Sequence, residues 1–431
     1  MPSQKLTIPR GNPTLSLMST LERLQIKNFG PIRQADIEVR DITILLGPQA
    51  TGKSLTAQTL YFMRGMEELL IPTSWGGGKI PGDGYIARQE LPGKVSALLA
   101  NWLGVGGINY KETSICWSID VGGSFREYQL ELPLSKDGQA QPRINQRMAE
   151  RIEKGVSLLP SELFPVEEQI YIPAGRILYS FVPPSLGMFL LSQRQDAEWP
   201  GYINVFYRKL GTAIRTLHDM NRRNQPILDD WLKEKILKIM KGQLTFTSLD
   251  GISLVIQDKF TEGEDFTSRS WAFNALKLAS GQMELWPFWV SVAAAFESQR
   301  SGSTRVFFEE PEAHLHPSAQ IALLESIAQL TRRNLRFVLT THSPYIVYAL
   351  NNCLMAQQVV DAGGSLPGGV SQETLLQREQ VSAYRFTNEG KIVSILDKET
   401  GLINTEDLDD PAGALNRSFS EMQDIMFELK S

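Results

Sequence analysis

Cysteine is scarce in this sequence, and its charges are nearly balanced. Only Cys116 and Cys353 occur among 431 residues, and they lie far apart. This is too few for a disulfide framework or a zinc site, so we expect two buried free thiols in a reducing compartment, the cytoplasm. The formal net charge of -5 gives no basis for general electrostatic attraction to nucleic acid or to an anionic membrane, although a local basic patch remains open.

Long hydrophobic runs are also missing. The apolar stretch from Trp286 to Phe296 is flanked by Glu284 and Glu297 and is too short to span a bilayer. Residues 1–19 are polar and contain no apolar segment of the kind found in signal peptides. We therefore expect a disordered N-terminal tail rather than a signal peptide, and no direct membrane insertion.

The composition is that of a globular protein. Hydrophobic residues make up 42% and charged residues 21% of the chain, and the length suffices for one large domain or two ordinary ones. Alternating strands lead into a buried strand at 41–46, and after residue 279 strands alternate with helices. This order predicts an α/β fold with a mainly parallel sheet.

Further elements are predicted around that sheet. Hairpins are expected where two alternating strands flank a glycine turn, and helices where apolar residues recur at helical spacing. The hairpins are predicted at 114–132, 244–257 and 381–396, a helical insertion at 177–242, and a helix at 344–350. We expect one main domain over 20–400 and a C-terminal acidic loop and helix over 401–431.

The strongest local signal follows the buried strand and precedes a helix. It has the form Gly-x4-Gly-Lys-Ser, in which glycines let backbone N–H groups close around phosphate oxygens and the lysine and serine reach phosphate and Mg²⁺. A chance glycine turn would explain the spacing alone, but the strand and helix on either side favour a phosphate loop. The loop comprises Gly47, Pro48, Gln49, Ala50, Thr51, Gly52, Lys53 and Ser54, with Leu55 next.

A second signal is an apolar strand that ends in Glu309 and Glu310. Neighbouring strand residues point in opposite directions, so the two carboxylates can do different work. Glu309 is placed to hold a magnesium shell, and Glu310 to polarise a water molecule. A solvated strand end is the alternative, and it loses weight because a phosphate loop lies upstream.

Two weaker signals accompany these. Ser280, Gly281 and Gln282 open an apolar helix, where they could form a second anion site or simply an ordinary helix cap with Ser280 as the N-cap residue. His342 follows the next strand and could donate to a phosphate, or be a structural loop histidine. His314 and His316 follow the carboxylate strand, and we expect loop or dimer contacts rather than metal ligation.

In their order along the chain, which is phosphate loop, Ser280 helix, carboxylate strand and histidine strand, the four signals together resemble the motif set of ABC-type ATPases. The resemblance implies an ABC head with an antiparallel β lobe and a helical insertion, which binds ATP and Mg²⁺. It implies that Ser54 and Glu309 hold the metal, that Glu310 is the general base and that His342 senses the γ-phosphate. It further implies a homodimer in which Ser280, Gly281 and Gln282 complete the site of the partner protomer, with 312–317 at the D-loop position.

The residues of these motifs resemble those of the RecF and OLD (overcoming lysogenization defect) branch of ABC-type ATPases. Shared features are the Glu-Glu-Pro-Glu and Thr-Thr-His-Ser-Pro segments and the run from Tyr171 to Arg176. Departures are Gln49 and Leu55 for the usual asparagine and threonine, and Glu309 for aspartate. Gln169 is a candidate for the Q-loop glutamine.

No Toprim nuclease domain is recognisable after the histidine strand. We expect Asp407, Asp409 and Asp410 to lie in a solvated loop rather than in a nuclease site. The resemblance therefore extends to the ATPase components of two-gene antiphage systems such as Septu and PARIS, and implies a separate effector, a nuclease. Two alternatives stay open. One is a repair ATPase that binds DNA through basic helices at 143–154 and 208–223, and the other is the ATPase subunit of a transporter.

Overall fold

The structure is a computed structural model. It describes the following residues: 21–70, 91–103, 112–121, 124–132, 142–146, 148–150, 167–176, 201–223, 225, 228–247, 251–256, 271–274, 279–298, 303–405, 418–423 and 425. The N-terminal tail predicted at 1–19, residues 177–200 of the predicted helical insertion and the cluster Asp407, Asp409 and Asp410 lie outside these ranges.

Fourteen strands and seven α-helices have bounds within the described residues, and we number these in chain order. The strands are β1 (Leu21–Phe29), β2 (Ile32–Val39), β3 (Ile42–Leu46), β4 (Thr113–Val121), β5 (Ser124–Leu132), β6 (Arg143–Ile144), β7 (Glu168–Ile172), β8 (Gly242–Thr247), β9 (Gly251–Ile256), β10 (Trp271–Asn274), β11 (Thr304–Glu309), β12 (Leu335–Thr341), β13 (Val381–Phe386) and β14 (Ile392–Ser394). The helices are α1 (Lys53–Leu70), α2 (Leu91–Leu103), α3 (Gly201–Arg222), α4 (Asp230–Met240), α5 (Ser280–Ser298), α6 (Pro317–Thr331) and α7 (Pro344–Asp361).

A six-stranded sheet forms the centre of the fold, in the order β14-β13-β3-β12-β11-β7. All pairs are parallel except β13 with β14, so the α/β prediction with a mainly parallel sheet is confirmed. Thr341 pairs with Leu46, and Thr340 with Glu309. The ends of β3, β12 and β11 therefore lie level at one edge, where ligands bind in open parallel sheets.

Both faces of this sheet are covered, which explains the continuous apolar runs of its strands. Ile44 and Phe308 face one hydrophobic cluster, which includes side chains of α3 to α7. Leu45 and Phe307 face the other cluster, formed with α1, α2 and the antiparallel strands. Successive side chains alternate between the clusters, as the pleat of a strand requires.

Two antiparallel sheets accompany the central one. The first has the order β2-β1-β4-β5-β6 and the second β10-β9-β8, which confirms the predicted β lobe and the hairpins at 114–132 and 244–257. The basic helix predicted at 143–154 is wrong at its start. Arg143 and Ile144 instead form β6, a short strand that pairs antiparallel with β5 at Glu131 and Leu130. The edge of β5 offers backbone hydrogen-bond partners that local composition does not reveal.

The helical insertion is confirmed where it is described, by α3 and α4. The helix predicted at 344–350 is longer than expected and continues to Asp361. Buried Cys353 and Leu354 carry its apolar face onward, and the helix ends just before Gly363, whose φ of 79° suits a glycine stop. Within the described ranges, none of the helices combines the length and apolarity that a membrane span requires.

A buried ionic cluster ties the elements together at the edge of the sheet opposite the strand ends. Glu167, just before β7, accepts from Arg64 of α1 at 2.7 Å and from Arg305 of β11 at 2.9 Å, and lies 3.1 Å from Arg336 of β12. Arg64 also pairs with Glu22 of β1. Such a network costs desolvation but makes the removal of any one partner expensive, about 3–5 kcal/mol.

Candidate active site

The loop between β3 and α1 has the backbone geometry of a phosphate cradle. Gly47 and Gly52 have φ values of 147° and 103°, a region open to glycine but strained for other residues. A Cβ on Gly47 would lie 2.6 Å from the Phe386 carbonyl oxygen, and one on Gly52 2.8 Å from Ile32 Cγ1. The loop leads into the N-terminus of α1, where free N–H groups and the helix dipole favour an anion.

The Lys53 side chain is hydrogen-bonded to the backbone of the loop. Its ammonium group donates to the carbonyl oxygens of Gly47 at 2.9 Å and Pro48 at 2.6 Å. Burial lowers the pKa of Lys53 to about 8, while Glu310 and Glu312 oppose this shift. The charge is thus held where a phosphate oxygen would stabilise it further.

The other residues of the loop either shape the phosphate site or pack against neighbouring elements. Thr51 donates its hydroxyl proton to the Pro48 carbonyl at 2.8 Å, which braces the turn around Gln49 and Ala50. Ser54 is half-buried in the first turn of α1. A Cβ on Gly30 would meet Leu55 Cδ2 at 2.7 Å. The Leu55 side chain therefore packs on the β1–β2 turn, and only its backbone is left to face a phosphate.

Glu309 and Glu310 point in different directions, but Glu310 lies in the turn after β11 and not in the strand as predicted. Glu309 is buried, and its carboxylate accepts from the Tyr171 hydroxyl, from Gln58 Nε2 at 3.1 Å and from the Ala174 N–H at 2.9 Å. Burial raises the pKa of Glu309, while these three hydrogen bonds oppose the rise. Sequence reasoning missed Gln58 and Tyr171 as partners of this carboxylate.

The donor set near Ser54 fits a magnesium ion in chemical type. Glu309 Oε2 accepts a single protein hydrogen bond, from Ala174, and so keeps a lone pair for a further partner. Gln58, which bonds Oε1, lies one helical turn beyond Ser54, so the serine and the carboxylate belong to adjacent parts of the site. Mg²⁺ prefers such hydroxyl and carboxylate oxygens together with phosphate oxygens.

Glu310 points to the other side, with a strained backbone. Its φ is 43°, in the left-handed region that residues other than glycine seldom occupy. Its N–H donates to the Thr340 carbonyl at 2.8 Å, which fixes the turn after β11. Its carboxylate is part-exposed and lies 3.6 Å from His342 Nε2.

His342 connects this carboxylate with the phosphate loop. The ring is about one-third exposed and lies beside the backbone of Gly47, which favours its charged form. Burial and the nearby Lys53 lower the pKa of His342, while Glu310 and Glu312 oppose that shift. The ring is therefore neutral at pH 7, with one nitrogen to donate and one to accept.

Ser280, Gly281 and Gln282 lie against the loop that follows β11. A Cβ on Gly281 would approach the His314 carbonyl oxygen to 2.8 Å. Gln282 bonds the Ala279 N–H at 3.1 Å and the Met240 carbonyl at 2.7 Å. The helix begins at Ser280, so the alternative of an N-cap at Ser280 does not hold; Gln282 reaches back to the N–H before the helix, and the Ser280 side chain is exposed.

The two histidines after β11 have separate partners. His314 Nδ1 lies 3.4 Å from Glu284 Oε1, and His316 Nδ1 accepts from the Ser318 N–H at 3.3 Å as the N-cap of α6. These contacts fit loop residues, as predicted. Gln169, by contrast, pairs with Arg305 in register and lies against Gly65 of α1. It is therefore at the edge of the sheet opposite the phosphate loop, and the Q-loop prediction for it is wrong.

Comparison with known proteins bears on this site. A family model described as an AAA ATPase domain matches residues 197–347, which include Ser280, Glu310 and His342. Together with the phosphate loop, this match shows that the chain is a P-loop ATPase. No curated protein gives a significant match to the sequence.

Solved structures similar to the ATPase are head domains of SMC proteins. One is an SMC head bound to the C-winged helix domain of ScpA, with 13% identity, a TM-score of 0.43 and coverage of 88% of this chain and 98% of that chain. Another is the SMC head domain from Thermotoga maritima, with 13% identity, a TM-score of 0.37 and coverage of 87% and 98%.

Proposed function

We propose that the chain is an ABC-type ATPase whose ATP-driven dimerisation controls a separate effector. The observation that carries the ATPase site is the meeting of three elements at one sheet edge. The His342 ring lies beside the backbone of Gly47 in the phosphate loop, and its Nε2 lies 3.6 Å from Glu310 Oε1. A γ-phosphate in that loop would have the histidine and the carboxylate on the same side.

Each side chain has a role that its surroundings support. Lys53 binds the β- and γ-phosphates, since its ammonium already sits among the loop carbonyls. Ser54 and Glu309 would hold Mg²⁺, which neutralises phosphate charge when bound. His342 donates to the γ-phosphate in its neutral form. Glu310 accepts a proton from the attacking water, because its carboxylate is part-exposed and turned away from the buried Glu309 pocket.

The site is completed by a second protomer. Ser280 is exposed at the N-terminus of α5, beside the loop that contains His314. An exposed helix N-terminus with a serine hydroxyl can bind an anion presented by another molecule. In the homodimer, Ser280 and Gly281 of one protomer contact the γ-phosphate held by the other, with Gln282 supporting the turn. This predicts closure on ATP binding and opening after hydrolysis.

Two variants of the 431-residue chain test the assignment of roles. Lys53→Ala abolishes ATP binding, measured by equilibrium titration. Glu310→Gln binds ATP but hydrolyses it at least about a hundredfold more slowly, and it accumulates as a dimer in ATP and Mg²⁺, measured by light scattering. A Glu310→Gln protein that hydrolyses ATP at the wild-type rate would overturn the base assignment.

Mixing two inactive variants tests whether Ser280 acts across the dimer. Glu310→Gln disables hydrolysis in its own site, and Ser280→Arg blocks the anion contact. In a mixed dimer, one site would combine an intact Glu310 with an intact Ser280 of the partner protomer. Random pairing then restores about a quarter of the wild-type rate. Absence of any recovery, with mixed dimers present, would place Ser280 in the site of its own chain.

The effector is proposed to be a nuclease in bacterial antiviral defence, acting with the ATPase in the cytoplasm. This proposal rests on the resemblance of the motifs to two-gene antiphage ATPases. Co-expression of the chain with the product of the neighbouring gene is expected to protect cells from phage, and Lys53→Ala to remove protection. Cleavage of plasmid DNA by the purified chain alone in Mg²⁺ would contradict the need for a separate nuclease.

Direct DNA binding is the second candidate. Three exposed arginines recur at intervals of seven residues along α3: Arg208, Arg215 and Arg222. Seven residues are about two helical turns, so the three side chains lie on one face of the helix. Such a face fits a phosphate backbone. Binding to duplex DNA that weakens steeply with salt, and weakens further in Arg215→Gln with Arg222→Gln, would favour this function.

A further inference from the structure

Arg176 is a buried arginine whose donors converge on the backbone next to the catalytic glutamate. Its side chain is fully buried. Nη1 donates to the Glu309 carbonyl at 2.7 Å and to the Pro173 carbonyl at 3.2 Å, and Nη2 to the Glu310 carbonyl at 3.0 Å. The guanidinium also lies 4.7 Å from the centroid of the Phe308 ring, a cation–π contact.

The same guanidinium is attached to α5. Nε donates to the Glu284 carbonyl at 2.7 Å, and it lies 3.1 Å from Glu284 Oε2. The other carboxylate oxygen of Glu284 is 3.4 Å from His314 Nδ1. Arg176 and Glu284 thus join the helix that begins with Ser280 to the turn that holds Glu310.

The cost of this arrangement argues against a role in stability alone. A fully buried guanidinium loses its hydration, and only good geometry with several acceptors offsets that loss. The planar fork of arginine can hold two adjacent carbonyls at once, which the point charge of lysine cannot do. The carbonyls it holds belong to Glu309 and Glu310, and the second of these residues has the strained φ of 43°.

We propose that Arg176 is a positioning residue that couples α5 to the Glu310 turn. When Ser280 and Gly281 engage a nucleotide held by the second protomer, α5 is fixed in place. Glu284 and Arg176 then hold the Glu310 backbone so that the carboxylate meets the attacking water. Hydrolysis is thereby tied to dimer closure. This inference rests on the proposed dimer and deepens it. It explains how the contact of Ser280 and Gly281 with the nucleotide of the second protomer would position Glu310 of the same chain.

The test compares conservative variants of two buried arginines. Arg176→Lys keeps the charge but loses the fork. We expect its affinity for a non-hydrolysable ATP analogue to stay within about twofold of wild type, and its ATP-dependent dimer to form, while kcat falls about tenfold to a hundredfold. Arg305→Lys is the matched control, in the ionic cluster at the other sheet edge. It should lower the melting temperature and leave kcat per folded protein near wild type.

A double-variant cycle separates positioning from general damage. If Arg176 acts through Glu310, Arg176→Lys slows hydrolysis strongly in the wild-type background and hardly at all in the Glu310→Gln background. Equal effects in both backgrounds would overturn the proposal. So would an unchanged kcat, or a loss of kcat that merely follows the loss of folded protein as in Arg305→Lys.

The design also distinguishes this inference from the proposed dimer. In wild type, the hydrolysis rate per chain should rise with protein concentration as dimers form, and in Arg176→Lys this rise should disappear although dimers still form. If wild type stays monomeric in ATP while the double-variant cycle shows coupling, the dimer proposal fails and Arg176 still positions Glu310. If wild type dimerises and the cycle shows no coupling, only the Arg176 inference fails.

Discussion

The Glu312 carboxylate accepts hydrogen bonds from the backbone N–H of His342 and from the Thr341 hydroxyl, each at 2.7 Å. One glutamate after β11 thus holds the loop that follows β12, and with it the imidazole that touches Gly47. The position of His342 over the phosphate loop depends on this contact between neighbouring strand ends.

Removal of the Glu312 carboxylate should therefore displace His342. Glu312→Ala is expected to lower kcat about tenfold and the free energy of unfolding by about 1–3 kcal/mol, because the Thr341 hydroxyl and the His342 backbone N–H both lose a charged acceptor. Glu312→Gln is the control, since its amide oxygen can still accept from both groups. Steady-state hydrolysis and urea unfolding measure the two effects. Wild-type hydrolysis in Glu312→Ala would show that His342 is held by other contacts.

ATP binding should take up protons in mildly alkaline solution. The pKa of Lys53 is lowered by burial to about 8, so the free protein loses this charge as the pH rises through 8. A bound phosphate favours the charged form and raises the pKa. Affinity should thus decline above pH 8. Calorimetry at pH 8.5 in buffers of different ionisation enthalpy measures the uptake, with pH 7 as the reference. No uptake linked to Lys53 at pH 8.5 would contradict its place among the phosphates.

The ionic cluster around Glu167 should make the fold sensitive to acid. Arg305 and the other arginines hold the pKa of Glu167 far below its usual value, against the effect of burial. Its stabilising contribution is therefore complete above the unfolded pKa of about 4.3 and is lost as the pH falls below it. Glu167→Gln should reduce the free energy of unfolding by about 3–5 kcal/mol at pH 7.

The same variant should also flatten the loss of stability between pH 5 and pH 3. Urea unfolding at several pH values measures this slope. Glu389, which is exposed in the turn between β13 and β14, provides the control, and Glu389→Gln should leave both the stability and the slope close to wild type. An unaltered slope in Glu167→Gln would show that other carboxylates cause the acid sensitivity.

Both cysteines should resist thiol reagents in the folded protein. Burial raises the pKa of Cys116 to about 11 and of Cys353 to about 12, and the thiolate is the reactive form. A colorimetric thiol assay at pH 8 should therefore detect neither cysteine rapidly in native protein and both in urea. Rapid labelling of native Cys353 would mean that α7 opens locally.

Local features of the chain were predictable where the residues of one short segment determine its conformation. The phosphate loop is encoded by glycines between a buried strand and a helix, and the geometry at Gly47 and Gly52 follows from that. The burial of Glu309 follows from the alternation of β11, but the direction of Glu310 is set by the turn after the strand, at a φ of 43°. The hairpin at 381–396 is confirmed as β13 and β14, but its parallel pairing with β3 has no local signal.

Contacts over long separations could not be predicted in this way. Glu309 meets Tyr171 and Gln58 across 138 and 251 residues, and hydropathy patterns contain no information on such pairs. The error at Gln169 has the same origin, since residue type suggested the Q-loop glutamine while the register of β7 places it at the far edge of the sheet. Arg176 was noted only as part of a motif, because its acceptors are backbone carbonyls.

The backbone at Glu310 has a consequence for protein engineering. A glutamate at φ 43° just before a proline occupies a conformation that both its side chain and its neighbour disfavour. Glycine or asparagine would fit there with less strain, so Glu310→Gly and Glu310→Asn are expected to melt at higher temperature than wild type. A search for thermostable variants that ignored hydrolysis would thus select at this position, and would return a sturdier protein without its base.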